Sequence, residues 1–140
     1  MGGEGARILV VDDQEEIRDL TAAILTADGH AVTTACNGEE ALSAAYRERF
    51  DLILLDINMP GMDGWETLRL SRADDDLASV PIVLFSVRGE VLNKVQAMQL
   101  GARGYITKPF TMDELTSGVR RHLAGGDGSA GAVSDDARSG

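Results

Sequence analysis

One cysteine, Cys36, is all the thiol chemistry in 140 residues, so no internal disulfide can form. A small buried thiol near a strand end is the simplest reading, because no partnered base is visible beside it. Long apolar runs are also missing. No stretch approaches the roughly 20 apolar residues of a membrane span, and Met1 to Gly5 offers neither the basic region nor the apolar core of a secretory leader. A cytoplasmic location away from membranes is the expectation. Basic clusters are scarce too: 13 Lys and Arg stand against 23 Asp and Glu, a formal charge of −10. Nucleic-acid backbones are held by Lys and Arg gathered on one face, so direct nucleic-acid binding is excluded as an expectation. The acidity at Glu15-Glu16 and Asp74-Asp75-Asp76 reads as solvated surface.

What is present centres on Asp51 to Gly64. Leu52 to Leu55 is apolar without a wet face, which reads as a strand buried on both sides of a parallel sheet. Asp56 ends that strand. A carboxylate there is unfavourable unless solvated, paired or bound to a metal, and ligands sit at the carboxyl ends of strands in open α/β sheets. Met59-Pro60-Gly61 then interrupts regular structure.

Strand and helix patterns alternate along the rest of the chain. Ile8 to Val11 is a short apolar strand that also ends in carboxylates, Asp12 and Asp13. Ile17, Leu20 and Ile24 recur at helical spacing, with Asp13 and Glu16 as a capping pair. His30 to Cys36 suits an edge strand. Asn37 to Glu40 opens a second helix whose close-packing face is Ala41, Ala44 and Ala45. Asp63 and Glu66 repeat the capping pattern before a third helix, and Trp65 packs that helix against the body. Val80 to Ser86 is the fourth strand, and Val91, Val95 and Met98 mark a fourth helix. Tyr105 to Thr107 is the fifth strand, followed by Lys108 and Pro109. Thr111 and Glu114 form a capping box for the last helix, with Leu115, Val119 and Leu123 on its inner face. His30 and His122 are expected to face solvent or bond locally.

Five such units imply an α/β fold, a doubly wound five-stranded parallel sheet with five helices; the order 2-1-3-4-5 is taken from the fold class and not from periodicity. Residues 6–123 form this domain, residues 1–5 a disordered N-terminus, and residues 124–140 a flexible Gly/Ser/Asp-rich tail or linker. No internal repeat exists beyond the alternation. In that topology Asp12, Asp13 and Asp56 converge, with Ser86 and Lys108 on the other flank. Three carboxylates in one cleft repel unless a hard divalent cation such as Mg²⁺ neutralises them. Asp56 can then attack phosphorus as a nucleophile, with Lys108 and Ser86 stabilising the transferring group.

Leu9-Val10-Val11-Asp12-Asp13, the stretch Asp56 to Gly64, Ser86, Gly101-Ala102, Tyr105 and Lys108-Pro109-Phe110 together resemble the receiver domains of two-component response regulators, similar to the small chemotaxis-type regulators, with a flavodoxin-like fold. The resemblance implies that Asp56 accepts a phosphoryl group from a sensor histidine kinase or a phosphotransfer protein. It implies Mg²⁺ held by Asp13, Asp56 and the backbone carbonyl of Asn58, with Asp12 helping, and a cis bond before Pro109. It also implies a switch in which Ser86 moves toward the phosphoryl group and Tyr105 turns inward. A downstream protein or output domain then reads the face made by the fourth helix, the fifth strand and the last helix. Such a domain signals, catalysing only its own phosphorylation and dephosphorylation.

Two residues depart from the family's usual pattern. Ser86 stands for the commoner Thr, and Val87 for Ala or Gly; with Arg88 reaching over the cleft, and Asn58 beside it as a rate-modulating position, slow phosphoryl exchange is expected. Alternatives stay open at this stage. A non-phosphorylated pseudo-receiver would keep the scaffold without the chemistry. An Asp-nucleophile phosphatase of the haloacid dehalogenase type wants a second acid where Asn58 stands. A flavodoxin-like cofactor binder would offer hydroxyls and amides where Asp12-Asp13 stands.

Overall fold

In the computed structural model, residues 5–57, 64–87, 98–99 and 101–124 are described, with 86 and 87 as backbone alone. Along them run β1 (Arg7–Val11), α1 (Glu15–Ala27), β2 (Ala31–Ala35), α2 (Gly38–Arg47), β3 (Leu52–Asp56), α3 (Gly64–Ala73), β4 (Ile82–Val87), β5 (Gly104–Lys108) and α4 (Met112–Leu123). All five strands pair in parallel in the order β2-β1-β3-β4-β5. The helix expected around Val91 and Val95 lies outside the described residues, apart from helical Met98 and Gln99. Also outside them are Asn58, the capping residue Asp63, Arg88 and most of the tail.

Strand periodicity splits the core in two. Successive side chains point to opposite faces, so Leu9, Val11, Ile53, Leu55, Ile82 and Leu84 pack against Ala41, Ala44 and Leu68 of α2 and α3. Ile8, Val10, Leu52, Leu54, Val83 and Phe85 pack on the other side against Ile24 and Leu25 of α1 and Leu115 and Val119 of α4. Every residue of β3 is buried, which places the central strand between two dry layers. Each fully buried Leu or Ile contributes about 1.5–3 kcal/mol of transfer free energy. Trp65 is half-buried against the α2–α3 layer.

Helix starts follow local chemistry in two cases and depart from it in one. Thr111 and Glu114 exchange side-chain and backbone hydrogen bonds in a capping box that starts α4. Asn37 accepts from the Glu40 N–H at 2.8 Å, while the Glu40 carboxylate accepts from the Cys36 N–H at 2.9 Å. The Asp13–Glu16 capping pair expected for α1 is absent. Gln14 occupies the N-cap without a side-chain cap, so the helix starts one residue later than an Asp13–Glu16 box requires, while the Asp12 carboxylate accepts from the Gln14 N–H at 2.9 Å.

His122 is a second departure. Its ring is 1% exposed, since positions 115, 119 and 122 share the inner stripe of α4. Gly104 makes the room: a Cβ there would lie 2.4 Å from the ring Cε1. Neither ring nitrogen has a hydrogen-bond partner among the described residues. Burial, with the nearby Arg121 and Arg103 guanidinium groups, lowers the pKa from 6.5 to about 4. Unfolded chains therefore bind a proton here that folded chains do not, so stability falls as pH drops through the window between 6.5 and about 4. The loss attributable to His122 should reach about 3 kcal/mol. Urea unfolding at several pH values, compared with His122→Leu, checks this: the wild-type minus variant difference should shrink on acidification, and a constant difference would contradict it. His30 is also buried and not solvent-facing, its Nδ1 accepting from the distant Ala6 N–H at 3.0 Å.

Candidate phosphoacceptor and metal site

The site forms where β1, β3 and β5 end. β1 and β3 are neighbours with Val11 opposite Leu55, so the next residue on each, Asp12 and Asp56, emerges at the same edge of the sheet. Asp12 continues the sheet by donating its N–H to the Ala35 carbonyl at 3.1 Å. Asp12 is fully buried and Asp56 is 5% exposed, while Asp13 is exposed. Each of the three offers a carboxylate oxygen, and these atoms lie within 4.8 Å of one another.

Lys108, last in β5, reaches across the end of β4 to this group. Its Nζ lies 2.8 Å from Asp12 Oδ2 and 3.5 Å from Asp56 Oδ2. The ammonium also sits 5.3 Å from the centroid of the Phe85 ring, which stacks on Phe110 at 5.6 Å. Aromatic walls limit the directions open to the lysine head and lower the local dielectric. The peptide bond between Lys108 and Pro109 is cis.

Ser86 lies in β4 opposite Thr107, directly after Phe85, which is paired with Asp56. Its backbone is thus at the same end of the sheet. Its side chain and that of Val87 lie outside the description, as do Asn58 and Arg88 entirely. Tyr105 is paired with Leu84 in β5 and is half-buried against the α2–α3 layer.

Three carboxylates against one ammonium leave the cluster net negative with two acids buried, an arrangement that is unfavourable without a further cation. The donors are hard oxygens from separate strand ends, which fits Mg²⁺ or another hard divalent ion and does not fit a thiophilic one. Asp12, Asp13 and Asp56 could hold such an ion while Lys108 stays in place.

Three contributors had no role assigned to them from sequence, although Gly64 lies within the motif that carries the resemblance. A Cβ at Gly64 would lie 2.4 Å from both the Asp56 carbonyl oxygen and the Ile57 Cα, so only glycine lets α3 start hard against the end of β3. The Asp63-Gly64 pair was the available signal. Phe85 under the lysine has no signal beyond its place before Ser86. Arg18, whose Nη1 donates to the Asp12 carbonyl at 3.0 Å, has none.

Comparison with known proteins shows the family. The sequence model of the response regulator receiver domain matches residues 8–120. The chain is 40% identical over 117 residues to the transcriptional regulatory protein ResD of Bacillus subtilis, covering 84% of this chain and 48% of that protein. It is likewise 40% identical over 116 residues to the probable transcriptional regulator ycf27 of Cyanidium caldarium, covering 83% and 45%. The chain thus spans about half the length of the curated relatives it matches. Among solved structures, the chemotaxis response regulator CheY4 of Vibrio cholerae superposes with a TM-score of 0.80 at 34% identity, covering 84% of this chain and 98% of that one. The receiver domain of NtrX from Brucella abortus gives 0.79 at 36% identity, covering 85% and 99%. The chain belongs to the response regulator receiver domain family.

Proposed function

We propose that this receiver takes a phosphoryl group from the phosphohistidine of a sensor histidine kinase or phosphotransfer protein onto Asp56. What supports the reading most is the meeting of Asp12, Asp13 and Asp56 with Lys108 at one end of the sheet. A carboxylate oxygen of Asp56 attacks phosphorus, the bond from phosphorus to the imidazole nitrogen breaks with its electron pair going to that nitrogen, and the ring, its other nitrogen carrying a proton, leaves as neutral imidazole. Asp12, Asp13, Asp56 and the Asn58 carbonyl would hold Mg²⁺, which when bound would supply charge neutralisation for the phosphoryl oxygens. Lys108 carries the remaining positive charge toward those oxygens, and the Ser86 hydroxyl donates to one of them. Withdrawal of Ser86 opens the space into which Tyr105 turns, and the face formed by β5, α4 and the helix expected around Val91 and Val95 changes its affinity for a downstream protein or output domain. A few kcal/mol of differential stabilisation suffices for such a population shift.

The domain so defined runs over residues 6–123, with 124–140 as tail or linker, and works in the cytoplasm. No helix among the described residues is long and apolar enough to cross a membrane. Its acidity, a formal charge of −10, argues against direct nucleic-acid contact by this domain. Asn58, Val87 and Arg88 set the rate of exchange.

Intact mass after treatment with acetyl phosphate is the test. With Mg²⁺ present the chain should gain about 80 Da, labile in base as an acyl phosphate is. A chelator should abolish the gain. An adduct that forms equally in chelator, or survives base, would reject the reading.

A further inference from the structure

We infer that Arg18 is a positioning residue that fixes where Asp13 stands for the divalent cation; this rests on the reading of Asp12, Asp13 and Asp56 as a metal-holding site. The three carboxylates are not held alike. Asp12 is anchored through both oxygens, one accepting from the Gln14 N–H at 2.9 Å and the other from Lys108 at 2.8 Å. Asp56 is buried in β3 and faces Lys108 at 3.5 Å. Asp13 is exposed, and its carboxylate makes no hydrogen bond among the described residues. Its position is therefore set by the backbone of the turn between β1 and α1.

Arg18 holds that backbone. Its Nη1 donates to the Asp12 carbonyl at 3.0 Å, and this carbonyl belongs to the peptide plane whose nitrogen is that of Asp13. Rotation of the plane would swing the Asp13 side chain away from its partners. The backbone N–H of Arg18 also donates to the Gln14 carbonyl at 2.9 Å, so one residue grips the turn on both sides of Asp13. Half-buried Arg18 further lies within electrostatic reach of Glu40, whose carboxylate accepts the Cys36 N–H at 2.9 Å. In metal sites, partners that orient a ligand without touching the ion change affinity by about 10–100-fold when removed.

Charge and positioning predict opposite signs, which makes the inference testable. A guanidinium near a cation site repels the cation, so an electrostatic role alone means that its removal tightens Mg²⁺ binding. A positioning role means that removal weakens it. Calorimetric titration with Mg²⁺ of the full chain, with Arg18→Ala and Arg18→Lys, separates the two. Arg18→Ala should weaken binding about tenfold while thermal unfolding in chelator stays near that of the wild type. Arg18→Lys, which keeps a donor of similar reach, should recover part of the loss and serves alone if the alanine variant does not fold. Unchanged or tighter binding by these variants overturns the inference while leaving the metal site intact. Wild-type chain that binds no Mg²⁺, or binds it equally after Asp13→Asn, overturns the metal-site reading and this inference together.

Discussion

An Asp56→Asn chain should accept no phosphoryl group at any Mg²⁺ concentration, yet unfold at no lower urea concentration than the wild type. The amide has nearly the shape of the carboxylate and fits the same 5%-exposed position at the end of β3, but it is not a nucleophile toward phosphorus. Lys108 keeps its closer partner, Asp12 at 2.8 Å, so no buried charge is orphaned. Removing one of three mutually repelling carboxylates should stabilise the metal-free protein, by about 1 kcal/mol for a partly screened pair. Intact mass with acetyl phosphate, beside urea unfolding in chelator, checks both halves. Continued uptake would move the acceptor to another carboxylate. A large loss of stability would mean that Asp56 is held by the fold for structural reasons.

Lys108→Ala should do the reverse: damage both fold and chemistry, with Mg²⁺ repairing the first. The lysine side chain is 12% exposed and its two partner carboxylates are 0% and 7% exposed. Deleting it leaves two buried acids and the nearby Asp13 facing one another without a cation. Breaking a buried pair from one side costs about 3–5 kcal/mol, and the lower end is expected here because the cluster lies at a sheet edge. Millimolar Mg²⁺ should restore much of that, since a ligand that binds only the folded state stabilises it by mass action. Phosphoryl uptake should nevertheless stay down about 100-fold at saturating Mg²⁺, the usual size for loss of one donor to a developing oxyanion. Urea unfolding with and without Mg²⁺, paired with uptake rates, measures both. A variant as stable as wild type in chelator would show that the buried acids need no counter-charge.

How much of this was legible beforehand depends on which physical signal each residue carries. Leu52 to Leu55 and Ile8 to Val11 announce buried strands because a two-sided core leaves no polar alternation, whereas the order β2-β1-β3-β4-β5 was legible only through the fold class, since helices on both faces are compatible with more than one order. Asp12, Asp13 and Asp56 were visible as acids at the ends of such strands. Thr111 and Glu114 were visible as a cap because both partners lie within one turn. The Asp13–Glu16 pair looked the same in sequence. It failed because α1 begins at Glu15 with Gln14 as its N-cap, which leaves Glu16 one residue short of the third helical position the box needs; spacing alone does not fix where a helix starts.

Contacts between distant elements were less legible. His122 falls on the inner stripe of α4, but its burial depends on Gly104 of β5 leaving room for a ring, and no periodicity reports that vacancy. Gly64 likewise has meaning only beside the end of β3. Arg18 reads as an ordinary surface position on α1 until its side chain is seen folding back to the Asp12 carbonyl. Side chains that act through a neighbour's backbone leave little trace in residue type.

Borohydride reduction of the phosphorylated chain, followed by peptide mass mapping, probes the central idea directly, because hydride converts an aspartyl phosphate to homoserine and marks the residue that carried it. Homoserine should appear at position 56 alone, and only when Mg²⁺ was present during phosphorylation. Homoserine at position 12 or 13, or none after a confirmed gain of mass, would contradict a site in which three strand ends gather acids and a lysine so that Asp56 can carry the phosphoryl group.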